Sequence, residues 1–151
     1  MKYVFDTQDN KRYEFPTHKN DLVIDRADAA TSEVFVVIVE PGKATHTHTH
    51  DDLEQIFYVV EGKGMLIIGR SKEEYPIEPT QVVKIPPSTR HSVRTVGTKA
   101  LRYVCIDCFC PNRKNNEPTW EAHVKVLCRQ QGYDFNDVAH AAQQRARKKK
   151  Q

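Results

Sequence analysis

Residues 22–110 are a succession of short apolar runs, each closed by a turn signal before it reaches the length of an ordinary helix. The runs are residues 33–40, 55–60, 65–68, 81–85, 92–96 and 101–110, with a weaker one at 22–24. Breaks fall at Pro41-Gly42, at Gly62 and Gly64, at Pro76, at Pro79 and at Pro86-Pro87. Proline lacks a ladder donor and glycine reaches left-handed backbone at no steric cost, so both end strands. Many short strands at close spacing predict an all-β sandwich or barrel. The pattern changes after Cys110. Residues 111–118 are polar, Thr119 suits a helix N-cap, and Trp120, Val124, Leu127 and Cys128 recur at helical spacing before Gly132. A second, weaker helix is expected from Asp137 into the tail. The expected organisation is an N-terminal arm with leading strands over 1–32 and a barrel core over 33–110. A loop and helices packing on the barrel over 111–144 follow, then a basic tail over 145–151.

Composition narrows the function classes. A chain of 151 residues with 28% charged and 38% hydrophobic residues can bury one ordinary core. No apolar run approaches the roughly 20 residues that span a bilayer, and the first residues carry no apolar leader, so no membrane role is expected and the cytoplasm is the expected compartment. The net charge of +3 comes from Arg145, Arg147, Lys148, Lys149 and Lys150. A terminal run of this kind reads as a solvated tail rather than a nucleic-acid surface. Cys105 and Cys108 have zinc-like spacing, but strand alternation would point them to opposite faces. The four cysteines read as small apolar residues of a reducing compartment.

The chemistry concentrates in Thr45-His46-Thr47-His48-Thr49-His50. In a strand, residues two apart share a face, so the three imidazoles would project together. Packing explains this poorly, because both ring nitrogens of a buried histidine need partners. Neutral imidazole is the commonest metal ligand.

Gly42, five residues, His48-Thr49-His50, four residues, Gln55, six residues and Gly62 resemble the first motif of the cupin family. Pro86-Pro87-Ser88-Thr89-Arg90-His91 resembles the second. Thr80 and Ser88 stand where that family usually has glycine, and Thr95 where it has asparagine. The resemblance implies a double-stranded β-helix, or jelly-roll barrel, with a short C-terminal helical extension. It also implies one divalent metal ion (manganese, iron, nickel, copper or zinc) held by His48, His50, Gln55 and His91. The family leaves three or four residues after the second histidine, which allows Glu54 or Gln55. The six-residue interval to Gly62 and the inward parity shared with Phe57 and Val59 favour Gln55. Three imidazoles and an amide would leave the ion its full charge, a strong Lewis acid.

Substrate-orienting residues are expected on inward strand positions: Phe57, Met65, Ile67, Tyr103 and Asp107. Asp107 interrupts an apolar strand. Some small cupins that open or isomerise unsaturated uronic acids are similar in having an aspartate on the last barrel strand, then a phenylalanine and a basic residue. Here these are Asp107, Phe109 and Arg113. The similarity implies that Asp107 moves a proton and Arg113 holds a carboxylate. The leading expectation is a metal-dependent enzyme that isomerises or ring-opens a small oxygen-rich anion, a sugar acid or sugar phosphate. The alternatives are a metal-dependent dioxygenase and a non-catalytic ligand-binding cupin. A homodimer is expected by resemblance. His46 is read either as a substrate-facing residue at the barrel mouth or, in preference, as a surface residue at the strand's start, and His18, His123 and His140 as unrelated to the site.

Overall fold

The computed structural model describes residues 1–8, 10–139 and 150–151. Its strands are β1 (Arg12–Glu14), β2 (Lys19–Ile24), β3 (Ser32–Val39), β4 (Leu53–Glu61), β5 (Lys63–Ile68), β6 (Glu73–Ile77), β7 (Val82–Ile85), β8 (His91–Val96) and β9 (Leu101–Phe109). A 3₁₀ turn at Arg26–Asp28 precedes β3, and helix α1 (Trp120–Gln131) follows β9. One antiparallel sheet has the order β1-β2-β3-β9-β4-β7, and a second has β6-β5-β8. Their inner faces share a single apolar core, which α1 and Val138 and Ala139 complete. This is a double-stranded β-helix with a C-terminal helical cover.

Cross-strand register stacks the interior in rows. Phe35, Cys105, Phe57 and Val83 form one row, and Val37, Tyr103 and Val59 the next. A third row, Glu33, Asp107, Gln55 and Ile85, is mostly polar although Glu33, Gln55 and Asp107 are all buried. Burying two carboxyls side by side is unfavourable unless something binds them, which sets this row apart from the apolar rows.

The helix follows its local signals. Thr119 accepts from the Ala122 amide, Gly132 ends the helix in left-handed backbone, and Trp120, Val124 and Cys128 are buried. The Trp120 ring lies 4.5 Å from that of Phe35, so α1 closes the mouth of the barrel. Residues 135–139 are helical as well; the remainder of the expected second helix, His140 and the basic run 145–149 lie outside the described residues.

Two strands escape the apolar pattern. β6 reads Glu-Glu-Tyr-Pro-Ile and is exposed except at Ile77, as an edge strand with proline can be. β1 is three residues long. Residues 44–50, expected as a regular strand, instead meet β8 at isolated bridges, Ala44 with Arg94 and His48 with His91. The Thr45 amide bonds to Val93 and the His48 amide to His91, three residues against two. That extra residue is a bulge, and it turns His46 away from the other two histidines. Among the described residues no helix is long and apolar enough to cross a membrane.

Candidate metal centre

The bulged segment and β8 bring His48, His50 and His91 together, with one ligand-capable atom from each lying within 4.8 Å of the others. The hydrogen bonds define the tautomers. A carbonyl oxygen only accepts, so His48 Nδ1–H donates to His46 O at 2.6 Å and His91 Nδ1–H donates to Thr89 O at 2.9 Å. Each ring therefore presents an Nε2 lone pair. Burial, the largest cause, lowers all three pKa values below the ordinary histidine range, to about 3 for His50 and about 4 for His91. The three rings are neutral near pH 7.

Gln55 joins the cluster from β4, and the alternation that turns it inward sends Glu54 to the opposite face. Its Oε1 stands 3.0 Å from His91 Nε2. With both atoms as acceptors, the arrangement suits a cation between them. Two donors each about 2.1 Å from one ion at right angles are roughly 3 Å apart. His50 Nε2 is buried with no partner. The donor set fits a divalent ion.

Behind Gln55 runs a buried chain. Gln55 Nε2 donates to Asp107 Oδ1 at 2.8 Å. Burial, then the hydrogen bond and charge of Glu33, push the Asp107 carboxyl well above its ordinary range, so it holds a proton against Glu33. Arg26 closes the chain with two bonds to Glu33, Nε at 2.7 Å and Nη2 at 2.9 Å. This bidentate pair neutralises one charge and lets the second carboxyl stay neutral.

The cluster forms one wall of a cavity of about 470 Å³. Phe15, Phe35, Phe57, Tyr103, Trp120 and Tyr133 give it aromatic walls, and among the described residues no lysine or arginine lines it. Of the residues expected to orient a substrate, Phe57, Tyr103 and Asp107 line the cavity. Met65 and Ile67 do not: the inward residues of β5 are Gly64 and Leu66, and the other parity faces out. Phe109 and Arg113 also lie outside it. The Arg113 guanidinium is 3.8 Å from the Phe109 ring centroid and its Nε is 3.5 Å from Asp52. The family similarity suggested Phe109 as a substrate contact, but at the end of β9 its ring is taken up between Arg26 and Arg113.

His18 and His123, read as unrelated to the site, belong to the cavity, and so does His46, in keeping with its substrate-facing alternative. His18 lines it, stacked on Phe15, with its pKa lowered to about 3 chiefly by burial. His46 lines it too, bonded to Tyr133 Oη at 2.6 Å, and so do His123 and Glu117. One signal for His123 was available: it sits three residues after Trp120 and four before Leu127, on the edge of the buried stripe.

The model of the Cupin domain family matches residues 35–107. That stretch, just under half of the chain, is a cupin domain. An uncharacterized protein of Methanocaldococcus jannaschii is 31% identical over 68 residues, 45% of this chain and 53% of that protein. This chain thus spans about half the length of that curated relative. A predicted oxalate decarboxylase from Thermotoga maritima has TM-score 0.65 at 15% identity, covering 71% of this chain and 99% of that chain. The polyketide cyclase RemF from Streptomyces resistomycificus has TM-score 0.63 at 22% identity, covering 82% of this chain and 93% of that chain. These two structures share the barrel with this cupin.

Proposed function

We propose that this cupin is a metal-dependent enzyme that isomerises or ring-opens a small hydroxy-carbonyl compound of the sugar-acid kind. His48, His50, Gln55 and His91 would hold one divalent ion. One observation carries the reading: the three buried side-chain atoms without a hydrogen-bond partner among the described residues, Asn20 Oδ1, His50 Nε2 and Trp120 Nε1, belong to residues lining one cavity. A buried unpaired polar atom costs about 1–3 kcal/mol, so these three favour an oxygen-rich occupant. Trp120 Nε1–H would donate to a substrate oxygen, and Asn20 Oδ1 would accept from a hydroxyl.

A bound ion would supply Lewis-acid polarisation of a substrate oxygen at the histidine wall. The rest falls to the chain's own side chains. The aromatic walls exclude water and strengthen each polar contact. Asp107 keeps the Gln55 amide oxygen turned toward His91 and carries a proton within reach of the cavity. Among the described residues the lining holds no lysine or arginine, so at this wall the ion would be the partner of a sugar acid's carboxylate. A second copy would dock on the outer face of the large sheet, where Tyr58, Val60 and Val82 are exposed.

The test is elemental analysis of protein purified without an affinity tag, beside His48→Ala and His91→Ala. The expected result is near-stoichiometric metal lost by both variants, with anaerobic turnover of hydroxy-keto acids by the parent. A parent without metal after reconstitution overturns the reading. Turnover that consumes dioxygen would instead assign a dioxygenase, and ligand binding without turnover a binding protein.

A further inference from the structure

The cavity has a second polar wall that the histidine cluster does not use. Glu117 precedes α1 and His123 lies on its first full turn, and both line the cavity. His123 Nδ1–H donates to Glu117 Oε2 at 2.6 Å. That fixes the ring and leaves Nε2 as its acceptor, with no hydrogen-bond partner among the described residues. The carboxylate is itself held: Arg26 Nη1 donates to Glu117 O at 3.2 Å and to Glu117 Oε2 at 3.4 Å. Its Nε and Nη2 hold Glu33, at the far end of the chain that positions Gln55. One buried guanidinium thus braces both walls.

Helix capping does not require this pair. Thr119 Oγ1 already accepts from the Ala122 amide and Asp25 Oδ1 from the Trp120 amide. His123 and the histidine cluster line the same cavity. An imidazole oriented by a carboxylate across a cavity from an electrophilic wall is the arrangement of a general base.

We propose that His123, held by Glu117, is the proton-transfer residue of this cupin, acting on the carbon beside a substrate carbonyl placed at the histidine wall. The C–H bond breaks, the proton goes to His123 Nε2, and the electron pair moves into the carbonyl oxygen. The hydroxyl proton passes to the former carbonyl oxygen, and return of the carbon-bound proton from His123 to the former carbonyl carbon exchanges an α-hydroxy ketone for an α-hydroxy aldehyde. No oxidant or reductant enters. The substrate class is an α-hydroxy carbonyl compound, and Glu117 is a positioning residue. The inference rests on the metal reading above, which provides the electron sink.

The probe is hydroxypyruvate in D₂O with the metal-loaded protein, and proton NMR reads deuterium entering at C3. The loaded parent is expected to exchange well above the metal-free protein. His123→Gln should slow exchange about 10²–10⁴-fold while keeping its metal and its hydroxypyruvate affinity. Added imidazole should restore exchange to His123→Ala, a rescue that a purely structural role would not give. Glu117→Gln should lower kcat about 10-fold with KM little changed, because the amide can still accept from His123 but leaves its charged form unpaired. Exchange in His123→Gln within about three-fold of the parent overturns the proposal. So does a loaded parent no faster than the metal-free protein. Elemental analysis of the same samples separates the two readings: no metal fails the metal centre, whereas a loaded parent indifferent to His123 fails the dyad alone.

Discussion

Arg26 is the point at which stability and site geometry meet, and Arg26→Met tests both. The guanidinium side chain is 4% exposed and Glu33 is fully buried, so neither charge has water as an alternative partner. Removing one member of such a pair leaves the other buried and uncompensated, which costs about 3–5 kcal/mol. Here the consequence is sharper, because Glu33 also faces Asp107, whose proton depends on a charged neighbour. With Arg26 gone, Glu33 must take up a second proton or repel the row. A domain of this size loses about 2–4 °C per kcal/mol, so the melting temperature should fall by about 6–20 °C. Differential scanning calorimetry at pH 7 measures it. Arg26→Met with Glu33→Leu should recover a substantial part of the loss, since matched apolar replacements of buried ion pairs are often tolerated. A fall under about 3 °C, or a double variant no better than the single one, would show that the pair is not desolvated as described. The single variant should also loosen Glu117 and Gln55 together, lowering metal affinity.

Other outcomes follow from the same structure. Metal-free protein should lose stability as pH falls from 6.5 toward about 4, because His50 and His91 have folded pKa values of about 3 and about 4 and the unfolded chain binds more protons below 6.5. Urea titrations should show a slope approaching about 1.4 kcal/mol per pH unit for each such histidine, and a flat profile between pH 4 and 6.5 would contradict their neutrality. Gly62→Ala should destabilise by more than about 2 kcal/mol: Gly62 has φ +74°, and a Cβ there would run into the Ala100 carbonyl. Thr80 has φ 75°, a left-handed backbone that a β-branched residue adopts at a cost, so Thr80→Gly should raise the chemical-denaturation midpoint by up to about 1 kcal/mol equivalent.

Much of the barrel was legible because it rests on local signals. β3, β4, β5, β7, β8 and β9 all fall on apolar runs closed by glycine or proline, and α1 runs from its Thr119 cap to its Gly132 stop. β6 was not legible, because an exposed edge strand needs no apolar face. The departures at Thr80 and Ser88 became visible as positive-φ residues, since the turns there keep their shape without glycine.

By itself the sequence determined a many-stranded barrel, a helical cover and a His-x-His cluster, because alternation, turn chemistry and short spacings act between near neighbours in the chain. The motif resemblance already grouped His48 and His50 with His91; the tertiary structure added that the bulge opposite β8 sets His46 apart from them, at Tyr133. It also decided that Arg113 stays outside the cavity and that His123 enters it. Those outcomes depend on contacts between residues far apart in sequence: Arg26 with Glu33 and Glu117, and Gln55 with Asp107 and His91. A buried charge finds its partner through the packing of the whole barrel, and no local pattern in a single chain records that choice.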